Sequence, residues 1–147
     1  MSDSEPILLL IEDDPAHALL IKRAFKKATY SDQIVHLSDG QDALDYLYGK
    51  GKYEGNPHSP TLIVLDINIP KINGLEVLKQ LKSHPSKRTI PVVILSTSMH
   101  KADILNAYAN YANSYITKPV DFKAFETKLI QLKQYWFSTN QLLESQK

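Results

Sequence analysis

Short apolar runs alternate along the chain with longer stretches of helical periodicity. The runs are Ile7–Ile11, Ile34–Leu37, Leu62–Leu65, Val92–Leu95 and Tyr115–Ile116. Ile7–Ile11 and Val92–Leu95 show no polar alternation, as expected of strands covered on both faces of a parallel sheet. Between them lie amphipathic stretches. Asp14-Pro15 opens the first, a carboxylate at the N-cap followed by proline at the first helical position. Ala16, Leu19, Leu20, Ala24 and Ala28 are expected on its apolar face. Asp39-Gly40 leads into a helix carrying Ala43, Leu44 and Leu47, and Asn73-Gly74 into another with Val77, Leu78 and Leu81. A fourth carries Ile104, Leu105, Tyr108 and Tyr111, and the last Phe122, Phe125, Leu129, Leu132 and Trp136. Strands alternating with helices in this way predict an α/β fold, a doubly wound five-stranded parallel sheet with right-handed crossovers and helices on both faces. The segment Gly49 to Pro60, punctuated by Gly51, Gly55 and Pro57, is expected to be a long exposed loop.

The polar residues that follow the apolar runs carry the chemistry. Glu12-Asp13-Asp14 follows the first run, Asp66 the third, Ser96 the fourth and Lys118-Pro119 the fifth. In an open parallel sheet the carboxyl ends share one edge, where ligands bind. Carboxylates crowded there repel, and one stays protonated unless a cation is present. Mg²⁺ suits such a set, because it takes one or two carboxylates and keeps waters and phosphate oxygens as its other ligands. A remaining carboxylate can then attack phosphorus to give an aspartyl phosphate. Lys118 and the Ser96 hydroxyl suit the phosphoryl oxygens, where transfer needs positioning and charge neutralisation.

Bulk properties narrow the classes. At 147 residues, 43% hydrophobic and 22% charged, the chain is sized and composed for one globular domain. A net charge of +1 gives no field favouring nucleic acid or an anionic membrane. The absence of cysteine excludes disulfides, thiol catalysis and thiolate metal sites. The start, Met1 to Glu5, is acidic and polar, unlike a secretory leader, and Ile7–Ile11 is far too short to span a bilayer. A cytoplasmic location is expected. The histidines at 17, 36, 58, 84 and 100 show no metal-ligand spacing.

The ordered pieces Leu9-Leu10-Ile11-Glu12-Asp13-Asp14, Leu65-Asp66-Ile67-Asn68-Ile69-Pro70, Asn73-Gly74, Pro91 to Ser96 and Tyr115-Ile116-Thr117-Lys118-Pro119 resemble the CheY-like receiver domains of two-component response regulators. The resemblance covers roughly Pro6 to Phe137 and implies the flavodoxin-like strand order 2-1-3-4-5. By position it implies that Asp66 is the phosphoacceptor. Asp13 would be a direct Mg²⁺ ligand, Glu12 would act on the metal through water, and Asn68 would offer its backbone carbonyl. Ser96 and Tyr115 would form the switch pair, Lys118 would bind the phosphoryl group, and Lys118–Pro119 would be cis. One departure is Thr97, where the family usually has a small residue such as alanine; another is the longer Gly49–Pro60 loop. That loop, the segment Ser83–Lys87 and the aromatic end Tyr135-Trp136-Phe137 resemble the cyanobacterial phytochrome response regulators.

The resemblance implies a sensor histidine kinase as phosphoryl donor, and the likeness to the phytochrome response regulators implies one of phytochrome type. With the receiver at residues 1–137 and a tail at 138–147, no room is left for an output domain, so signalling through protein contacts is expected. A two-fold homodimer is expected through an exposed patch of Tyr108, Tyr111, Tyr115, Phe125, Trp136 and Phe137. The competing readings are a Mg²⁺-dependent phosphatase with an aspartyl nucleophile and a constitutive interaction module. The first commonly needs a second acid two residues after the nucleophile, where Asn68 stands. The intact Glu12, Asp13, Asp66 and Lys118 set argues against the second.

Overall fold

The computed structural model describes residues 7–26, 33–55 and 59–143. In chain order the elements are β1 (Ile7–Ile11), α1 (Pro15–Lys26), β2 (Gln33–Leu37), α2 (Gly40–Tyr48), a 3-10 turn (Gly51–Tyr53), β3 (Leu62–Leu65), α3 (Gly74–Ser83), β4 (Val92–Ser96), α4 (Lys101–Ala109), β5 (Ser114–Thr117), α5 (Phe122–Gln134) and a π-helical turn (Tyr135–Thr139). The strands form one parallel sheet in the order β2-β1-β3-β4-β5. Alternate strand residues feed two cores, which explains the unbroken apolar runs. Leu9, Ile11, Ile63, Leu65, Val92 and Ile94 pack toward α2 and α3. Leu8, Leu10, Leu62, Val64, Val93 and Leu95 pack toward α1 and α5.

The helix ends follow their capping residues. Asp14 Oδ1 accepts from the Ala16 and His17 amides at 2.9 and 3.3 Å, Asp39 caps α2, Asn73 caps α3 and Asp121 caps α5. Gly74 has a further reason: a Cβ there would lie 2.1 Å from the backbone oxygen of Asp66. Only glycine lets the start of α3 approach β3 this closely.

Several expectations about helix faces are corrected. On α1 the buried residues are Ala18, Leu20, Ile21, Ala24 and Phe25, while Ala16 and Leu19 are exposed; Ala28 lies outside the described residues. The stripe anchored on Ile21 and Phe25 buries more apolar area than one through Ala16 and Leu19, so it faces the sheet. Phe125 and Trp136, expected in an exposed patch, are only 3% and 9% exposed and belong to the α1–α5 core. Phe137 packs half-buried against the same core, and Phe122 is the exposed end of the α5 stripe. On α4 only Ala107 is buried, leaving Leu105, Tyr108 and Tyr111 exposed.

The Gly49–Pro60 segment is not simply a solvated loop in its described part. Tyr53 packs edge-to-face on Tyr46, with centroids 5.3 Å apart, and its hydroxyl donates to Asp42 at 3.1 Å. Among the described residues no peptide bond is cis, so Lys118–Pro119 is trans, the form an X-Pro bond favours by about 0.5–1 kcal/mol.

Candidate functional site

The sheet register brings the expected residues to one edge. Ile11 is level with Leu65, Leu65 with Ile94, and Ser96 with Thr117. Backbone bonds then carry the ladder one residue past three strands: Glu12 N–H to the Leu37 carbonyl, Asp66 N–H to Ile11 and Lys118 N–H to Ser96, at 3.0, 3.0 and 2.8 Å. Glu12, Asp66 and Lys118 therefore leave the sheet from fixed backbone positions, and their side chains meet.

Lys118 Nζ lies 2.6 Å from Glu12 Oε1, 3.2 Å from Asp66 Oδ2 and 3.0 Å from His17 Nδ1. All three ion-pair members are buried, at 1% exposure for Glu12, 8% for Asp66 and 5% for Lys118. Glu12 Oε2 also accepts from the Asp14 amide at 3.1 Å. Burial pushes the Glu12 carboxyl up to about 7, outweighing the opposing pull of Lys118. Asp13 is exposed, yet it can bring one carboxylate oxygen within 4.8 Å of oxygens from both Glu12 and Asp66. Three hard oxygen donors that close together, one open to solvent, fit a divalent cation that keeps part of its water shell.

The loop after β4 is organised by hydroxyls. Ser96 is fully buried, and its Oγ accepts from the Ser98 amide at 3.2 Å. The Ser98 side chain bridges to Asp103 at the start of α4. Tyr115, half-buried against the α2–α3 core, donates its hydroxyl to the Ser98 carbonyl at 2.9 Å. Burial pushes this phenol up from its ordinary value. Thr97 is exposed between the two serines, and Asn68 is exposed in the loop after β3.

The structure thus gathers Glu12, Asp13, Asp66 and Lys118 directly, with Ser96 and Tyr115 joined through Ser98. Three contributors escaped sequence reasoning. His17 contacts Lys118 from the first turn of α1; the signal available was its place three residues after the Asp14 cap. His36 reaches from β2 with its Nε2 2.8 Å from the Glu12 backbone oxygen, a contact no local pattern announces. Ser98 could have been suspected from the Ser-Thr-Ser run between a strand and a helix.

The chain is 43% identical over 135 residues to the probable methanogenesis regulatory protein FilR2 of Methanothrix harundinacea, covering 91% of this chain and 85% of that protein. It is 35% identical over 138 residues to the response regulator Rcp1 of Synechocystis sp., covering 94% of this chain and 93% of Rcp1. The Mn(2+)-bound crystal structure of Rcp1 superposes with a TM-score of 0.91 over 94% of this chain and 99% of that one. The phosphorylated cyanobacterial phytochrome response regulator RcpA, 38% identical, superposes equally well at 0.91, covering 94% of this chain and 98% of its own. Residues 8–130 match the response regulator receiver domain, and the chain belongs to that family.

Proposed function

We propose that the protein is a stand-alone receiver in which Asp66 accepts a phosphoryl group from a sensor histidine kinase. The observation that carries this reading is the buried Lys118 ammonium shared between Glu12 and Asp66, with Asp13 open beside them. Such a cluster is a poor way to gain stability, since buried ion pairs can often be replaced by apolar groups without loss. It is well suited to a site that must receive the charge of a phosphoryl group.

Asp13 and Asp66 would hold Mg²⁺ directly, together with the backbone carbonyl of Asn68, while Glu12 would act on it through water. When bound, the ion offsets the charge of the acids and of the phosphoryl oxygens. Asp66 is the nucleophile. One of its carboxylate oxygens forms the O–P bond as the P–N bond of a phosphohistidine breaks, and the imidazole leaves with that electron pair. Lys118 turns an N–H toward a phosphoryl oxygen, and the Ser96 hydroxyl supplies a second donor. Tyr115 senses the change, because its hydroxyl is tied to the loop that Ser96 begins. The protein assists its own phosphorylation and dephosphorylation and turns over no separate substrate.

The likeness to RcpA supports a phytochrome-type kinase as donor. Output passes through protein contacts in the cytoplasm, with residues 1–137 as the receiver. Self-association is assigned to the α4 side, where Leu105, Tyr108 and Tyr111 are 69%, 48% and 73% exposed, and no longer to Phe125 and Trp136. Sedimentation velocity with and without beryllofluoride tests that part; a monomer in both states removes it. The main reading is tested by intact mass after treatment with acetyl phosphate and Mg²⁺. One phosphoryl group on the wild type, none on Asp66→Asn and none in excess chelator support it. Equal labelling of Asp66→Asn overturns it.

A further inference from the structure

Lys118 has one partner that does not belong to the acid cluster. His17 Nδ1 lies 3.0 Å from Lys118 Nζ. An ammonium has three N–H donors and no lone pair, so the contact is a hydrogen bond only if Nδ1 accepts. The ring is then neutral, with its proton on Nε2. The competing arrangement, an Nδ1 proton shared with Asp14, is geometrically weaker: Asp14 Oδ2 is 3.6 Å away, beyond hydrogen-bond range. Asp14 is engaged instead in capping α1, through Oδ1.

The ring is also held in place. Its backbone amide is tied to the Asp14 cap at 3.3 Å, and its ring lies T-shaped to that of Phe125, with centroids 5.6 Å apart and planes at 89°. Phe125 is a core residue of α5. His17 is therefore an acceptor on α1 held against the Phe125 ring of α5. Its bond completes the donor count of Lys118: Glu12 takes one N–H, His17 a second and Asp66 a third. The Asp66 contact is the longest of the three, at 3.2 Å.

We propose that His17 is a positioning residue for phosphoryl transfer. It occupies one N–H of Lys118 so that a single N–H points at Asp66, ready to pass from the carboxylate to a phosphoryl oxygen. The proposal rests on the reading of Asp66 as phosphoacceptor and Lys118 as its phosphoryl ligand. Without an acceptor at residue 17, a buried N–H lacks a partner. The ammonium then settles more fully on the carboxylates, including the nucleophile, and must be pulled off before transfer.

The test compares wild type, His17→Leu and His17→Asn for the rate of labelling by acetyl phosphate at saturating Mg²⁺, with Mg²⁺ affinity measured separately. Asparagine places an oxygen acceptor where Nδ1 stands; leucine places a methyl group there. His17→Leu should label about tenfold more slowly, the scale of one lost charge-assisted hydrogen bond, with Mg²⁺ affinity within about twofold of wild type. His17→Asn should recover most of the rate. Nitrogen NMR of the wild-type imidazole should show Nδ1 unprotonated. Unchanged labelling in His17→Leu, equal slowing in both variants, or a protonated Nδ1 in the neutral ring each overturns the proposal alone. Absence of labelling in the wild type overturns the phosphoacceptor reading and this one with it.

Discussion

At the carboxyl edge of the sheet, Glu12, Asp66 and Lys118 are buried together and satisfy one another. On the α4 side, Leu105, Tyr108 and Tyr111 stand in solvent over a helix whose only buried residue is Ala107. Ordinary folding energetics would favour the reverse, with charges outside and large apolar groups inside. Each region departs from the rule in the direction its proposed task requires. In the proposed function the edge keeps charge where a phosphoryl group would be received, and the α4 side keeps apolar surface that another chain would bury. Between them runs the Tyr115–Ser98 bond, so the two departures are mechanically adjacent.

The contrast can be broken first at its boundary. Trp136 was expected with the exposed aromatics and lies with the core, so Trp136→Ala should cost about 3–5 kcal/mol in urea unfolding. A loss below 1 kcal/mol would return it to the surface set. At the edge, Lys118→Met should cost about 3 kcal/mol at pH 8, because it leaves two buried carboxylates without their cation. A stabilised variant at that pH would show that Glu12 and Asp66 do not depend on the lysine.

A gentler probe is pH. In the folded protein without metal, Glu12 keeps its proton up to about 7, against an ordinary 4.5. Between those values the folded state binds more protons than the unfolded one, so stability falls as pH rises through this window. The slope is at most about 1.4 kcal/mol per pH unit, that of one proton, and Glu12→Gln should remove it. A metal-free stability that rises over the same range in wild type would contradict the burial argument. The smallest effect belongs to the α4 side. Tyr111 lies in the turn just past α4 with φ at 69°, where a side chain is strained, so Tyr111→Gly should gain about 1 kcal/mol. A loss would mean that its exposed ring is already engaged.

The two regions also differed in how far the sequence could reveal them. The edge was legible because a carboxylate, hydroxyl or lysine directly after an apolar run marks the end of a strand, and parallel pairing sends every such end to one side. The helix faces were harder. On α1, Ala16 and Leu19 share a helical spacing that competes with the stripe through Ile21 and Phe25, and only contact with the sheet decides between them. On α5 and the turn after it, Phe125 and Trp136 resembled a surface patch because late aromatics carry no sign of which neighbour covers them. His17 and His36 meet Lys118 and Glu12 across long sequence separations, which no local pattern encodes.

The most direct measurement of the central claim is chemical trapping. An acyl phosphate formed with acetyl phosphate and Mg²⁺ is reduced by borohydride, which converts the modified aspartate to homoserine, and the peptide is sequenced by mass spectrometry. The account requires homoserine at residue 66, and none when Mg²⁺ is withheld. Homoserine at residue 13 or 14 instead, or a stable label at a histidine or serine with residue 66 still aspartate, would contradict it.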